Sequence, residues 1–130
     1  MKADLVLKGG TVVTGDSQFR ADVVIKDGKL IGLSTGVTPS AVDSVDVSGK
    51  FVLPGIIDSH VHVRYPGNPQ REDFATGTRA AAAGGVTTIL EHPISEPAVS
   101  TREILLQRER VCSPQAYVDY GFFGAAQSAG

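Results

Sequence analysis

The chain has 130 residues, of which 42% are hydrophobic and 20% are charged, and this composition is typical of a soluble globular domain. Its formal net charge is −2 and it contains no block of like charges, so we expect neither nucleic acid nor a membrane as a partner. The first residues lack the apolar core of a secretory signal, and no later run reaches membrane-spanning length, which predicts a cytoplasmic protein.

Residues 1–53 are expected to form the amino-terminal part of a small β-sandwich. Apolar runs on either side of Gly9-Gly10 predict two short strands separated by a turn. The β-branched run at 22–26 ends at Asp27-Gly28, a pair that favours a type I′ turn, and the next residues supply the returning strand of a hairpin. This segment carries no recognisable catalytic group.

After this segment the pattern changes to strand, helix, strand, helix, strand, which is typical of parallel βαβ units. We therefore place a second domain at residues 54–130. Its first helix is predicted over 72–83, because acidic residues suit its amino end and Gly84-Gly85 stops it. A strand over 86–90 follows.

The second helix is predicted from a capping box, Ser-Thr-Arg-Glu. This motif places the helix start at Thr101 with Ser100 as the N-cap, and Pro114 ends the helix before a third strand at 116–123. Cys112 lies late in this helix and is the only cysteine, so an internal disulfide is excluded and we expect a structural thiol.

Three parallel strands cannot close a barrel that needs eight, and their apolar faces would lack partners. We therefore expect an α/β fragment, the first βαβαβ portion of an incomplete (β/α)8 TIM-type barrel preceded by the β-sandwich segment. The alternative is a complete small β-rich module. The module predicts cooperative unfolding in isolation, whereas the fragment predicts aggregation or poor folding through exposed sheet edges.

The pair His60 and His62 is the main candidate for a functional site. In an extended strand both side chains share one face with their Cα atoms about 6.6 Å apart, so both rings can reach one metal ion. The pair falls at the carboxyl end of a predicted strand, and in a (β/α)8 barrel that end forms the active-site face. The alternative is two partly exposed strand histidines without a metal.

The remaining histidine, His92, lies at the end of the next apolar run. Catalytic zinc usually takes three protein ligands, which makes His92 a candidate for the third. The alternative is a loop side chain or a wall of the pocket.

Two longer motifs extend the H-x-H pattern. Residues 54–62 read Pro-Gly-Ile-Ile-Asp-Ser-His-Val-His, and residues 76–88 read Thr-Gly-Thr-Arg-Ala-Ala-Ala-Ala-Gly-Gly-Val-Thr-Thr. Together they resemble the cyclic amidohydrolases of the amidohydrolase superfamily, the group of dihydroorotases, allantoinases and hydantoinases. The first motif is shared by the wider superfamily, whereas the second resembles the cyclic-amide subgroup.

The resemblance implies a metal centre, commonly with two zinc ions, in which His60 and His62 ligate one ion. It implies that metal-bound hydroxide attacks a ring amide carbonyl and opens the C–N bond. A carboxylated lysine, two further histidines and a catalytic aspartate would lie beyond Gly130, so no catalytic residue is expected within this chain and the chain alone is expected to be inactive. The alternative is a non-catalytic, hydantoinase-like scaffold protein, and we also expect a homo-oligomer.

The substrate class is a small cyclic amide of the allantoin, hydantoin or dihydroorotate type. Arg64 would share the face of His62 if the strand persists, and it matches the arginine of the dihydroorotase H-x-H-x-R motif that binds a carboxylate. Ile94, however, stands where dihydroorotases place a substrate-binding asparagine, which favours an allantoinase-like or hydantoinase-like member. The alternative for Arg64 is a rim arginine paired with Glu72 or Asp73.

Overall fold

The computed structural model describes residues 2–126, and the chain forms two compact units, Met1–Pro54 and Gly55–Gly130. The strands of the first unit are β1 Ala3–Val13, β2 Gln18–Lys26, β3 Lys29–Ser34, β4 Ala41–Asp46 and β5 Phe51–Val52. They form one mixed sheet in the order β3-β2-β1-β4, with β5 also paired to β1. Neighbours β1, β2 and β3 are antiparallel, whereas β4 and β5 run parallel to β1.

The glycine pair in the first unit lies within a strand and not in a turn. The two strands predicted around Gly9-Gly10 are one strand, β1, whose register against β2 shifts between Leu7 and Gly10. Gly9 has a φ of 75° and its N–H donates to Asp22 Oδ1 at 2.8 Å, so the glycines form a bulge that keeps the ladder continuous. The prediction of a turn here was wrong.

The predicted hairpin is confirmed. Asp27 and Gly28 have φ values of 51° and 69°, and the type I′ turn requires positive φ at both positions. Strands β2 and β3 pair on either side of this turn. Strand β4 was not predicted, because its sequence Ala-Val-Asp-Ser-Val-Asp is largely exposed and depends on its parallel ladder with β1.

The second unit has the predicted strand, helix, strand, helix, strand order. The elements are β6 Ile56–Val61, α1 Phe74–Ala83, β7 Val86–Glu91, α2 Arg102–Cys112 and β8 Asp119–Phe122. The three strands form a parallel sheet in the order β6-β7-β8, and a 3₁₀ turn at Ser113–Gln115 precedes the last strand.

The helix boundaries differ from the prediction at both amino ends. Asp73 caps α1 by accepting from the Thr76 N–H at 2.7 Å, so this helix begins two positions later than expected. In α2 the cap is Thr101, which accepts from the Ile104 N–H at 3.3 Å. The prediction of Ser100 as the cap was wrong by one residue, because the Ser100 N–H is held in the preceding turn by Ala98 O at 2.8 Å.

The third strand is shorter than the predicted 116–123, because the 3₁₀ turn that contains Pro114 delays its start to Asp119. The core of this unit is formed by four buried residues, Val63, Phe74, Ile89 and Cys112. A Cβ on Gly77 would lie 3.3 Å from the Glu72 side chain and 3.4 Å from Val63, so this face of α1 lies close to both side chains. No helix among residues 2–126 is both long and apolar enough to span a membrane.

Candidate metal centre at the end of strand β6

His60 and His62 lie at the carboxyl end of β6, where the strand ends at Val61. Their Nε2 atoms are 3.2 Å apart, and the two rings meet edge to face at an interplanar angle of 82°. Two imidazole nitrogens that bind one tetrahedral zinc ion at about 2.0–2.1 Å are separated by about 3.3 Å. The donor pair therefore fits a single divalent cation without moving either ring far.

The surroundings of His62 favour its neutral imidazole, the form that binds a metal ion. Desolvation lowers the pKa of His62 most, and positive charge on His60, His92 and Arg64 lowers it further. Asp58 lies beside the pair, but its Oδ1 accepts from the His60 backbone N–H at 3.1 Å. Among residues 2–126 no three histidine, cysteine or acidic side chains gather as a metal site, so this part of the chain supplies two ligands.

His92 lies next to the pair, at the first position after β7. Its N–H donates to Val61 O at 2.9 Å, which extends the β6–β7 ladder by one residue. Its ring centroid is 3.8 Å from that of His60 and 5.7 Å from that of His62. The third histidine is therefore adjacent to the first two, and its ring is stacked on His60.

Arg64 does not continue the strand face of His62. Strand β6 has ended three residues earlier, and Arg64 has a φ of 61°, a left-handed conformation that is unusual for a non-glycine residue. No salt bridge joins it to Glu72 or Asp73 within the described part of the chain. Arg64 instead borders a cavity of about 230 Å³, whose lining is formed by His62, Val63, Arg64, Arg71 and Glu72.

A buried ion pair that was not predicted from the sequence lies next to the turn at Arg64. Glu91 Oε1 lies 2.7 Å from Arg108 Nη2, with both side chains almost fully buried. The same oxygen accepts from the Arg64 backbone N–H at 2.8 Å, which fixes the turn after the histidines. The guanidinium also donates to Ser95 Oγ and lies 4.8 Å from the centre of the Phe122 ring.

Burial raises the pKa of Glu91, and the opposing contributions of Arg108 and the Arg64 N–H do not fully offset it. A signal for this pair was present, because Arg108 interrupts the apolar face of α2 formed by Ile104 and Val111 and Glu91 ends an apolar strand. A larger cavity, of about 820 Å³, lies next to Val86 and Asp119 at the opposite ends of the strands. It is therefore separate from the histidines.

Known proteins similar to this chain are amidohydrolases. A profile of the Amidohydrolase family matches residues 51–128. An allantoinase from Deinococcus radiodurans is 40% identical over 125 residues, which covers 95% of this chain and 28% of the allantoinase. A D-hydantoinase from Streptomyces coelicolor is 39% identical over 129 residues, which covers 94% of this chain and 28% of that protein.

The structure also matches that of an L-hydantoinase (dihydropyrimidinase) from Arthrobacter aurescens, with a TM-score of 0.89 and 33% identity over 94% of this chain and 28% of that one. This match confirms the fold class, the first strands of a (β/α)8 barrel after a β-sandwich segment. The chain spans about 28% of the length of the curated relatives it matches. The family profile covers more than half of the chain, which therefore belongs to the amidohydrolase family.

Proposed function

We propose that this chain is part of a metal-dependent hydrolase that opens the C–N bond of a cyclic amide, with His60 and His62 holding one divalent cation. The observation that carries the proposal is the 3.2 Å separation of the two Nε2 atoms at the carboxyl end of a parallel strand. Allantoinase and hydantoinase relatives support cyclic amides as the substrate class. The proposed cation is zinc, in a centre of two ions.

The residues of this chain would hold the cation and bind substrate. A bound divalent cation lowers the pKa of water towards 7 and polarises a carbonyl oxygen, the two effects that amide hydrolysis needs at neutral pH. His60 and His62 supply lone pairs as neutral imidazoles. Further ligands and the catalytic acid or base would come from outside the described residues.

Arg64 is proposed to bind a carboxylate or a ring carbonyl of the substrate. It borders the same cavity as His62, and its guanidinium has no carboxylate partner within residues 2–126. A planar guanidinium can bind a carboxylate through two parallel hydrogen bonds. We further propose domains at residues 1–53 and 54–130, and a cytoplasmic homo-oligomer with no nucleic acid or membrane partner.

The metal site is tested on a complete-length protein that contains this chain, after removal of its metals. Zinc binding is measured by titration for the wild type, His60→Ala and His62→Ala, with Asp119→Asn at the other end of the sheet as the matched control. We expect weaker binding to either histidine variant than to the wild type and the control. Equal binding by all four proteins would refute the assignment.

The activity test requires a complete-length protein that contains this chain. It is assayed against allantoin, a hydantoin and dihydroorotate after removal of metals and again with added zinc, manganese or cobalt. Hydrolysis of at least one substrate that depends on metal is the expected result. An absence of metal-dependent hydrolysis would favour the non-catalytic scaffold.

A further inference from the structure

Three aromatic rings form a row across the carboxyl ends of the three parallel strands. His60 comes from β6, His92 follows β7 and Phe123 follows β8. The His60 and His92 rings are stacked, with centroids 3.8 Å apart and planes inclined by 17°, and Phe123 lies against the other side of His92 at 4.6 Å and 41°. Glu91 pairs with Phe122, so His92 and Phe123 follow at equivalent positions of neighbouring strands, which lie about 4.8 Å apart. His60 reaches His92 from the irregular part of the β6–β7 ladder, where the register shifts between Asp58 and Val61.

The His92 ring is fixed from several directions. Its own N–H donates to Val61 O at 2.9 Å, and the Phe123 N–H donates to Glu91 O at 2.9 Å, so the peptide group that precedes His92 is hydrogen-bonded to both neighbouring strands. Its Nε2 lies 3.3 Å from Ser59 O. A carbonyl oxygen only accepts hydrogen bonds, and Nε2 must therefore carry the hydrogen.

This arrangement excludes His92 from binding the same ion as His60. The lone pair of an imidazole nitrogen lies in the plane of the ring, and two nearly parallel rings 3.8 Å apart direct their lone pairs into two separate planes. A cation in the plane of His60 is therefore out of the plane of His92. The Nε2 of His92 is in addition already used as a donor to Ser59 O.

We propose that His92 is a positioning residue, which holds the exposed ring of His60 by stacking so that its Nε2 stays directed at His62. The proposal rests on the proposed metal site and adds a residue to it. His60 is exposed, and within the described residues its ring has one flat contact, the ring of His92. Without that contact the His60 ring rotates freely, and each rotation takes Nε2 away from its 3.2 Å approach to His62.

The test compares His92→Ala, which removes the stacking ring, with His92→Phe, which keeps a flat ring and removes both nitrogens. Zinc chloride alone is titrated into a complete-length protein that contains this chain, after removal of its metals, and folding of each variant is checked by circular dichroism. We expect affinity to fall roughly tenfold in His92→Ala, since groups that orient metal ligands typically contribute 10–100-fold. In His92→Phe we expect affinity within about twofold of the wild type.

Two results would overturn the proposal. Equal losses in both variants would mean that a nitrogen of His92 is needed, and unchanged affinity in both would mean that stacking is irrelevant. A second measurement uses the chain without metal: the His60 ring protons, which lie over the His92 face, should be shifted upfield in the wild type and in His92→Phe but not in His92→Ala. If the wild type binds no zinc, the proposed metal site fails, and these proton shifts still decide whether His92 holds the ring.

Discussion

Replacing Arg108 with methionine tests the buried ion pair between Arg108 and Glu91, which lies next to the turn at Arg64. Methionine keeps much of the length of the side chain but removes the charge, so Glu91 remains buried without a cation. The two side chains are 0% and 3% exposed, and water cannot replace the lost partner without disturbing the packing of α2 on the sheet. The expected effect is a large loss of stability that depends on pH.

The magnitude follows from two opposing terms. At the 2.7 Å separation of Nη2 and Oε1, and with an effective dielectric constant of about 20, the attraction is about 6 kcal/mol. Burial of each ion opposes this by several kcal/mol, and the raised pKa of Glu91 indicates that burial prevails for the carboxylate. If one partner is removed, the attraction is lost while the remaining charge stays buried. Such a change typically lowers the free energy of unfolding by about 3–5 kcal/mol.

The pH dependence has a definite sign. Because the pKa of Glu91 is raised in the folded chain, its contribution to stability is complete below the ordinary value of 4.5 and is lost as the pH rises through the folded value. Without Arg108 the pKa rises further. The destabilisation by Arg108→Met is therefore expected to be larger at pH 7 than at pH 4.

The assay is urea unfolding of a complete-length protein that contains this chain, followed by circular dichroism at both pH values. The matched control is Arg110→Met, which removes an exposed arginine from the last turn of the same helix and should change the free energy of unfolding by less than about 0.5 kcal/mol. A loss of less than about 1 kcal/mol in Arg108→Met at pH 7, or a larger loss at pH 4, would refute this account of the pair.

Three further predictions concern local contacts. Thr101→Ala should lower the free energy of unfolding in urea by about 1 kcal/mol, whereas Ser100→Ala should have little effect. The reverse order would support Ser100 as the N-cap of α2. Gly28→Ala places a side chain at a φ of 69° and should lower the free energy of unfolding by about 1 kcal/mol relative to Gly36→Ala. Equal unfolding midpoints for the two variants would contradict the type I′ turn. Burial raises the pKa of the Cys112 thiol to about 11, so the free energy of unfolding should fall as the pH rises from 9.0 towards that value. Cys112→Ala should show a smaller fall over this pH range, and an equal fall would contradict the assignment.

The sequence predicts the fold well where the signal is local. Positive φ at Asp27 and Gly28, and a helix that stops at Gly84-Gly85, follow from the residues themselves. The errors arise where pairing with a distant segment decides the conformation. Gly9-Gly10 forms a bulge because β2 continues on the other side, and β4 exists because β1 offers it a ladder.

The site shows the same division between local and distant determinants. His60 and His62 could be identified because both rings come from one strand end, and their convergence needs only an extended backbone. The partnership of Glu91 with Arg108 joins residues 17 positions apart and depends on how α2 packs, so neither residue could be assigned from its neighbours. The turn at Arg64 depends on the same carboxylate, so the condition that the strand persists to Arg64 is not met.

The residues at the end of β7 hold residues 60–64 from two sides. This explains why the ion pair of Glu91 and Arg108 lies at this position although it contributes little net stability. Glu91 Oε1 holds the Arg64 N–H, while the His92 N–H and ring hold Val61 and His60. In Glu91→Met/Arg108→Met the free energy of unfolding should recover most of what Arg108→Met loses, because no buried charge remains. The Arg64 N–H, however, loses its acceptor, so its hydrogen exchange should become faster than in the wild type even though global stability has returned. Unchanged exchange would mean that the turn is held by the chain around it, and the carboxylate would then have no role in shaping the site.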